Sequence, residues 1–106
     1  MEDCLFCQII RKETPAEFVK ETELLVVFKD INPKASVHLL IVPKTHILDI
    51  RNADDEIWND IKKVTIDLAK EKNLLGFRLV TNAHEAALVP HMHVHFLGDV
   101  SSTREL

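Results

Sequence analysis

His91-Met92-His93-Val94-His95-Phe96-Leu97 is the stretch on which the fold turns. Polar and apolar residues alternate in it without a break. That is the period of a β-strand, whose successive side chains point to opposite faces. Met92, Val94 and Phe96 are expected in a core, and the three imidazoles together on the other face. Lys, Thr or Glu would serve a plain solvent face, so three histidines mark a site. His91 and His95 would stand roughly 13 Å apart on an extended strand, too far for all three to meet one tetrahedral ion with bonds of about 2 Å. Neutral imidazole is a nucleophile near pH 7, and its nitrogens divide the labour: one attacks, the other donates its proton to an acceptor that fixes the tautomer. Flanking imidazoles can hold an anion at the point of attack. The pattern suits phosphoryl or nucleotidyl transfer through a covalent histidine intermediate.

The rest of the chain supplies the frame for that strand. Residues 77–81 read as a neighbouring strand. Before them, Asn52-Ala53-Asp54-Asp55 opens one long helix with acidic residues in its first turn. Ile57, Ile61, Val64 and Leu68 form its buried stripe, and it ends near Asn73. Residues 37–42 are an apolar, β-branched strand stopped by Pro43. Residues 17–20 and 24–28 read as a β-hairpin, followed by an Asp30-Ile31-Asn32-Pro33 turn. Residues 4–12 read as a short helix, with Leu5, Ile9 and Lys12 on one side and Phe6 and Ile10 beside them. Thr14-Pro15 ends it. Strands outnumber helices without regular interleaving, so the fold class is α+β with an antiparallel sheet.

Composition narrows the function. The 106 residues fit one domain, 1–106, and the formal net charge of -4 comes with no long basic stretch. Arg11-Lys12 and Lys62-Lys63 are the only adjacent basic pairs, so a nucleic-acid surface is not expected. Only Gly76 and Gly98 are glycines, which leaves neither a P-loop nor a dinucleotide fingerprint. The acidic Met1-Glu2-Asp3 start has no apolar signal core behind it, and no apolar run is long enough to span a bilayer. The expectation is a cytoplasmic protein without a membrane partner. There, Cys4 and Cys7 are thiols or metal ligands rather than a disulfide.

The run 91–97 resembles the His-φ-His-φ-His-φ-φ signature of the histidine triad (HIT) family, φ being apolar. Phe28-Lys29-Asp30-Ile31-Asn32-Pro33 with Val37-His38-Leu39-Leu40-Ile41-Val42-Pro43-Lys44-Thr45-His46 resembles its ribose-binding turn and following strand. Cys4-Leu5-Phe6-Cys7-Gln8-Ile9-Ile10 is a third match. Together they span almost the whole chain in order, and they are most similar to the Hint-like branch of small homodimeric nucleotide phosphoramidases. The resemblance implies a five-stranded antiparallel sheet with one long and one short helix, paired in a homodimer into one ten-stranded sheet. It implies that His93 is the nucleophile toward the α-phosphorus of a purine nucleotide. His95 would contact the phosphate, and His38 would sit beside the nucleophile. Asp30 would accept the ribose hydroxyls, Phe6, Ile9, Phe28 and Ile31 would wall the purine pocket, and Asn82 would lie near the phosphate. On the residues alone, Asp30 also fits a plain turn former, the four apolar residues are more often core than pocket, and Asn82 is equally a loop cap.

Two thiolates at Cys4-x-x-Cys7 need two more ligands for a structural zinc. Nothing resembling a βαβ unit precedes the pair, which speaks against a thioredoxin-like redox role. His46 and His91 are the candidates, and several bacterial members of the family use this combination. Two buried free cysteines are the plainer alternative.

One stretch departs from the family. Members carry Gly-Gln or a serine shortly before the first histidine, where these bind the phosphate and leaving group. Here Asn82-Ala83-His84-Glu85-Ala86-Ala87-Leu88-Val89-Pro90 has no Gly, Gln or Ser. His84 stands in for them or is simply an exposed loop histidine. The tail 100–106 is mostly polar and expected to fray. Three functions follow: a nucleotide phosphoramidase or hydrolase working through His93, a nucleotide-binding or scaffold protein with weak or vestigial catalysis, and a metal-dependent hydrolase using two triad histidines and a carboxylate.

Overall fold

The computed structural model describes residues 4–104; the acidic start at 1–3 and the last two residues of the tail lie outside the described residues. The fold is α+β. A short helix α1 (Leu5–Ile10) leads into strands β1 (Phe18–Glu21), β2 (Leu25–Lys29) and β3 (Val37–Pro43). A 3-10 turn (Ile50–Asn52) precedes the long helix α2 (Asp55–Glu71). Strand β4 (Phe77–Thr81), a second 3-10 turn (His84–Ala86) and β5 (Val94–Gly98) complete it. The five strands form one antiparallel sheet in the order β1-β2-β3-β5-β4.

Alternation along the strands gives the sheet two unlike faces. Leu25, Val27, Leu39, Ile41, Val94 and Phe96 pack against Ile61, Val64 and Leu68 of α2. Truncating Phe96, which is fully buried, to Ala would cost about 3–5 kcal/mol. Val26, Phe28, Leu40 and Val42 face the other way and meet Phe6, Cys7 and Ile9 of α1. Both faces of β2 and β3 are therefore covered, which is why those strands read as unbroken apolar runs. Helix α1 is only six residues long. It covers part of its face and leaves the rest open beside β5.

Local signals set the boundaries. Asp54 caps α2 by accepting from the Ile57 amide at 2.9 Å. Asn52 belongs to the preceding 3-10 turn, not to α2. Cys4 is the N-cap of α1, and the helix stops at Ile10, with Lys12 at a positive φ of 62°. Thr22 accepts from the Leu24 and Leu25 amides and donates to Asp60 Oδ2 at 2.6 Å, fastening the β1–β2 turn to α2. Arg78 donates to the Arg104 carbonyl, which ties the tail to β4.

The last strand begins later than the alternation predicts. Both ladders of β5 start at Val94, opposite Ile41 and Thr81. Pro90 cannot donate to a ladder, and the Met92 amide donates instead to Ile47. Met92 is nevertheless in the α2 core, as its place in the pattern requires.

Candidate active site and metal centre

The three histidines share the α1 side of the sheet, but they do not form one surface. His91 is fully buried and His93 is 5 % exposed. The Phe6 ring sets its edge against both, at 5.9 and 4.9 Å between centroids. The expectation of three imidazoles side by side is corrected: His93 and His95 line a cavity, whereas His91 turns into a separate cysteine cluster. Only the segment from Val94 onward is regular strand, so the residues ahead of it are free to diverge. With His91 turned into the cysteine cluster, the His91–His93 pair that a metal-dependent hydrolase would use is not assembled.

Hydrogen bonds fix each imidazole's tautomer. His93 Nδ1 lies 2.8 Å from the His91 carbonyl oxygen. A carbonyl only accepts, so Nδ1 carries the proton and Nε2 keeps a lone pair. Thr81 donates to the His93 carbonyl at 2.7 Å and holds the backbone at that point. The Lys34 amide donates to His38 Nδ1 at 2.9 Å, so His38 carries its proton on Nε2. That proton goes to His95 Nδ1 at 2.9 Å, with Asp30 Oδ2 3.3 Å from the same nitrogen. His95 in turn carries its proton on Nε2. Burial lowers the pKa of His38, and burial followed by the neighbouring His93 and His38 lowers that of His95 to about 4. Both imidazoles are neutral near pH 7.

Asp30, His38 and His95 also bring three donor atoms within 4.8 Å of one another. A cation there would need the lone pair of His38 Nε2, hence a proton on Nδ1 facing the Lys34 amide. The trio is a hydrogen-bond relay, not a metal site. Asp30 makes the turn and also borders the cavity. Its Oδ1 accepts from the Asn32 amide at 2.8 Å.

That cavity has a volume of about 530 Å³. Phe6, Ile9 and Phe28 are at once core and cavity wall: each is at most 5 % exposed, and each borders the space. Ile31 borders it too, but is 87 % exposed and stands at the mouth. Asn82 lines it from beyond β4. His84 is exposed and absent from the lining. At a positive φ of 51°, it contributes a backbone amide to Asp49.

Four residues converge elsewhere on this face. Cys4 Sγ, Cys7 Sγ and ring nitrogens of His46 and His91 lie within 4.8 Å of one another, with both thiols and His91 buried. His91 Nδ1 is 3.4 Å from Cys4 Sγ and 3.5 Å from Cys7 Sγ, and His46 Nδ1 is 3.1 Å from Cys7 Sγ. Tetrahedral zinc with its usual sulfur and nitrogen bonds puts such neighbours about 3.5 Å apart. His91 Nε2 donates to the Pro43 carbonyl at 2.8 Å, which leaves Nδ1 as the lone pair facing the sulfurs. Burial, then the Cys4 side chain, raises the Cys7 pKa. Two thiols packed this way favour a cation to share. The donor set fits zinc.

Some contributors have no signal in the sequence pattern. The carbonyls of His91 and Pro43 and the amide of Lys34 set tautomers through the backbone. Asp49 is fully buried and accepts a forked pair of bonds from Arg51, at 2.6 and 3.0 Å. Those bonds come first in holding its pKa down to about 2, and the His84 amide adds to them. Asp49 thereby anchors the loop between β4 and β5. Its one visible signal is an Asp at a 3-10 turn N-cap.

The family described as "Scavenger mRNA decapping enzyme C-term binding" matches residues 3–105. Protein HitA of Neisseria gonorrhoeae is 38% identical over 104 residues, covering 92% of this chain and 97% of that protein. An uncharacterized HIT-like protein of Methanocaldococcus jannaschii is 41% identical over 96 residues, covering 88% and 74%. Among solved structures, a HIT family hydrolase from Clostridium thermocellum superposes with a TM-score of 0.91 at 37% identity, covering 100% of this chain and 98% of that one. One from Legionella pneumophila gives 0.88 at 39% identity, covering 95% and 96%.

Proposed function

The chain belongs to the histidine triad family, and from that premise we propose that it is a purine nucleotide-binding hydrolase. It cleaves nucleoside phosphoramidates or related nucleotidyl conjugates through a nucleotidyl-histidine intermediate. The observation that carries this is the bond from His93 Nδ1 to the His91 carbonyl. It leaves Nε2 of a cavity-lining histidine as a lone pair, the state a nucleophile needs.

The purine lies among Phe6, Ile9 and Phe28, and Asp30 takes the ribose hydroxyls with its remaining lone pairs. His93 Nε2 attacks the α-phosphorus. The imidazole then becomes cationic, and its Nδ1–H stays on the His91 carbonyl. His95, with its proton on Nε2, is a donor for the phosphate oxygens, and His38 holds that tautomer. Water releases the nucleotide in a second displacement.

We assign the Cys4, Cys7, His46, His91 cluster to a structural zinc. Four protein ligands leave no open position, so the ion would cross-link α1 to the segment before β5. We also assign the chain a single domain, the cytoplasm and a homodimer. No helix among the described residues is long and apolar enough to cross a membrane. Strand β4 is a sheet edge bearing exposed Phe77 and Leu79, suited to a second copy.

The test is intact-protein mass spectrometry after brief mixing with adenosine 5′-phosphoramidate, with turnover measured in parallel. One adenylyl group on the wild type and none on His93→Ala supports the mechanism. Binding with neither adduct nor turnover would favour a nucleotide-binding protein with vestigial catalysis. The loop between β4 and β5, with no Gly, Gln or Ser, is the feature that keeps this second reading.

A further inference from the structure

One wall of the cavity beside His93 is a loop. Asn82, Ala86 and Val89 all lie between β4 and β5, and all border the space. The 3-10 turn at the centre of this loop, His84–Ala86, has no side-chain cap. His84 holds a positive φ of 51°, a region that a residue with a Cβ enters at a cost. A loop of this kind needs outside support to keep one shape.

The support comes from residues 46–49, just after β3. They meet the stretch 84–92 at three points. The His46 ring stands edge-on to His91, with 4.7 Å between centroids. The Ile47 carbonyl accepts from the Met92 amide at 2.8 Å. The Asp49 carboxylate accepts from the His84 amide. The first two points fix the end of the loop next to His93. Asp49 is the one that reaches its beginning, two residues beyond Asn82. The carboxylate is itself held: Asp49 is fully buried, its Oδ1 accepts from the Arg51 amide and from Arg51 Nε, both at 3.0 Å, and its Oδ2 accepts from Arg51 Nη2 at 2.6 Å. The Arg51 side chain is 66 % exposed. An ion pair with so much water on one partner adds little stability, so what the fork supplies is the carboxylate's direction.

From this we infer that Asp49 is a positioning residue for the reaction at His93: by holding the His84 amide it keeps Asn82 and the loop wall in place beside the attacking ring. This rests on the reading of His93 as nucleophile. Asp49 does not border the cavity, so it touches no reacting atom and acts through the loop. Base and ribose are held by Phe6, Phe28 and Asp30 on the other wall. Loosening the loop is therefore felt in the chemical step and not in nucleotide affinity. A displacement of about 1 Å is enough to slow a reaction on the order of 10²-fold.

The test replaces Asp49 by Ser, which still caps the 3-10 turn but is shorter and lacks the second oxygen. In Asp49→Ser, kcat for adenosine 5′-phosphoramidate should fall roughly 10- to 100-fold. AMP affinity should change by less than about threefold, and the His84 amide should exchange with solvent about tenfold faster or more by NMR. Asp49→Asn keeps the length and an acceptor, and its kcat should stand between those of Asp49→Ser and the wild type. Thr22→Ala cuts the tie to Asp60, away from the cavity lining, and is the control for lost stability: Tm falls and kcat stays. Wild-type kcat in Asp49→Ser, AMP affinity lost in step with kcat, or an unchanged His84 exchange rate overturns the inference while His93 stays the nucleophile. So does an Asn variant no better than Ser, or an equal loss of kcat in Thr22→Ala. If Asp49→Ser does not fold, Asp49→Asn decides: a kcat lowered about threefold or more with AMP binding kept upholds the role, and wild-type kcat overturns it. Absence of turnover in the wild type strikes the nucleophile reading instead. The anchor is then judged by exchange alone, a faster His84 amide in Asp49→Ser upholding it and an unchanged one overturning it.

Discussion

His93 Nδ1 donates to the carbonyl oxygen of His91 at 2.8 Å, so the backbone of one triad histidine orients the ring of the next. The same His91 sends its side chain into the Cys4–Cys7 cluster. One residue thus joins the cysteine–histidine cluster to the cavity-lining His93.

Replacing His93 by Ala removes the lone pair but none of the groups expected to hold base and ribose. Turnover of adenosine 5′-phosphoramidate should fall by a factor on the order of 10³ or more, while AMP affinity measured by calorimetry changes by less than about tenfold. A variant that keeps a tenth of wild-type turnover would remove His93 from the attacking role.

The cluster makes a separate prediction. Protein purified without chelator should carry about one equivalent of zinc by metal analysis. Cys7→Ser should carry far less and melt more than about 10 °C lower, because a structural zinc contributes folding free energy outright. A zinc content below a tenth of an equivalent in the wild type, with unchanged melting of Cys4→Ala, would leave two buried free cysteines as the answer.

The sequence carried the faces better than the boundaries. Alternation sorted Met92, Val94 and Phe96 to the α2 core and the histidines to the α1 side, because a period of two is a property of the strand itself. It could not foresee that the ladder begins at Val94, since that depends on where Ile41 and Thr81 end their own pairing. The parting of His91 from His93 follows from three-dimensional neighbours, Pro43 and the two cysteines. The tie from Asp49 to the β4–β5 loop was invisible for a related reason: its partner at His84 is a backbone amide far along the chain. Asp30, by contrast, makes the turn its sequence position suggests with one oxygen and faces His38 with the other.

That double use of Asp30 can be measured. Asp30→Asn keeps the turn-forming oxygen but loses the charge. Nucleotide affinity should drop about 10- to 100-fold, the worth of hydrogen bonds to a charged group. The preference of the wild type for AMP over 2′,3′-dideoxy-AMP should vanish with it. If the variant still prefers the ribonucleotide by the wild-type factor, Asp30 is only a turn residue.

Stability should fall on the acid side for a reason specific to this site. Burial is the first cause that depresses His38 and His95 below the ordinary imidazole value of 6.5, the latter to about 4. A depressed imidazole binds fewer protons folded than unfolded between its two pKa values, so stability rises with pH across that interval. Its contribution is complete above 6.5, declines as pH falls toward 4, and levels off once both states are protonated. Asp49, held to about 2 from 3.8, acts only at lower pH. Thermal melting followed by circular dichroism should therefore show Tm dropping by roughly 5–10 °C between pH 7 and pH 4.5. His95→Gln should show a smaller drop, the remainder coming from His38. A wild-type Tm that stays level over this interval would mean that the imidazoles are not held neutral, and the relay from His38 to His95 would then need its protons reassigned.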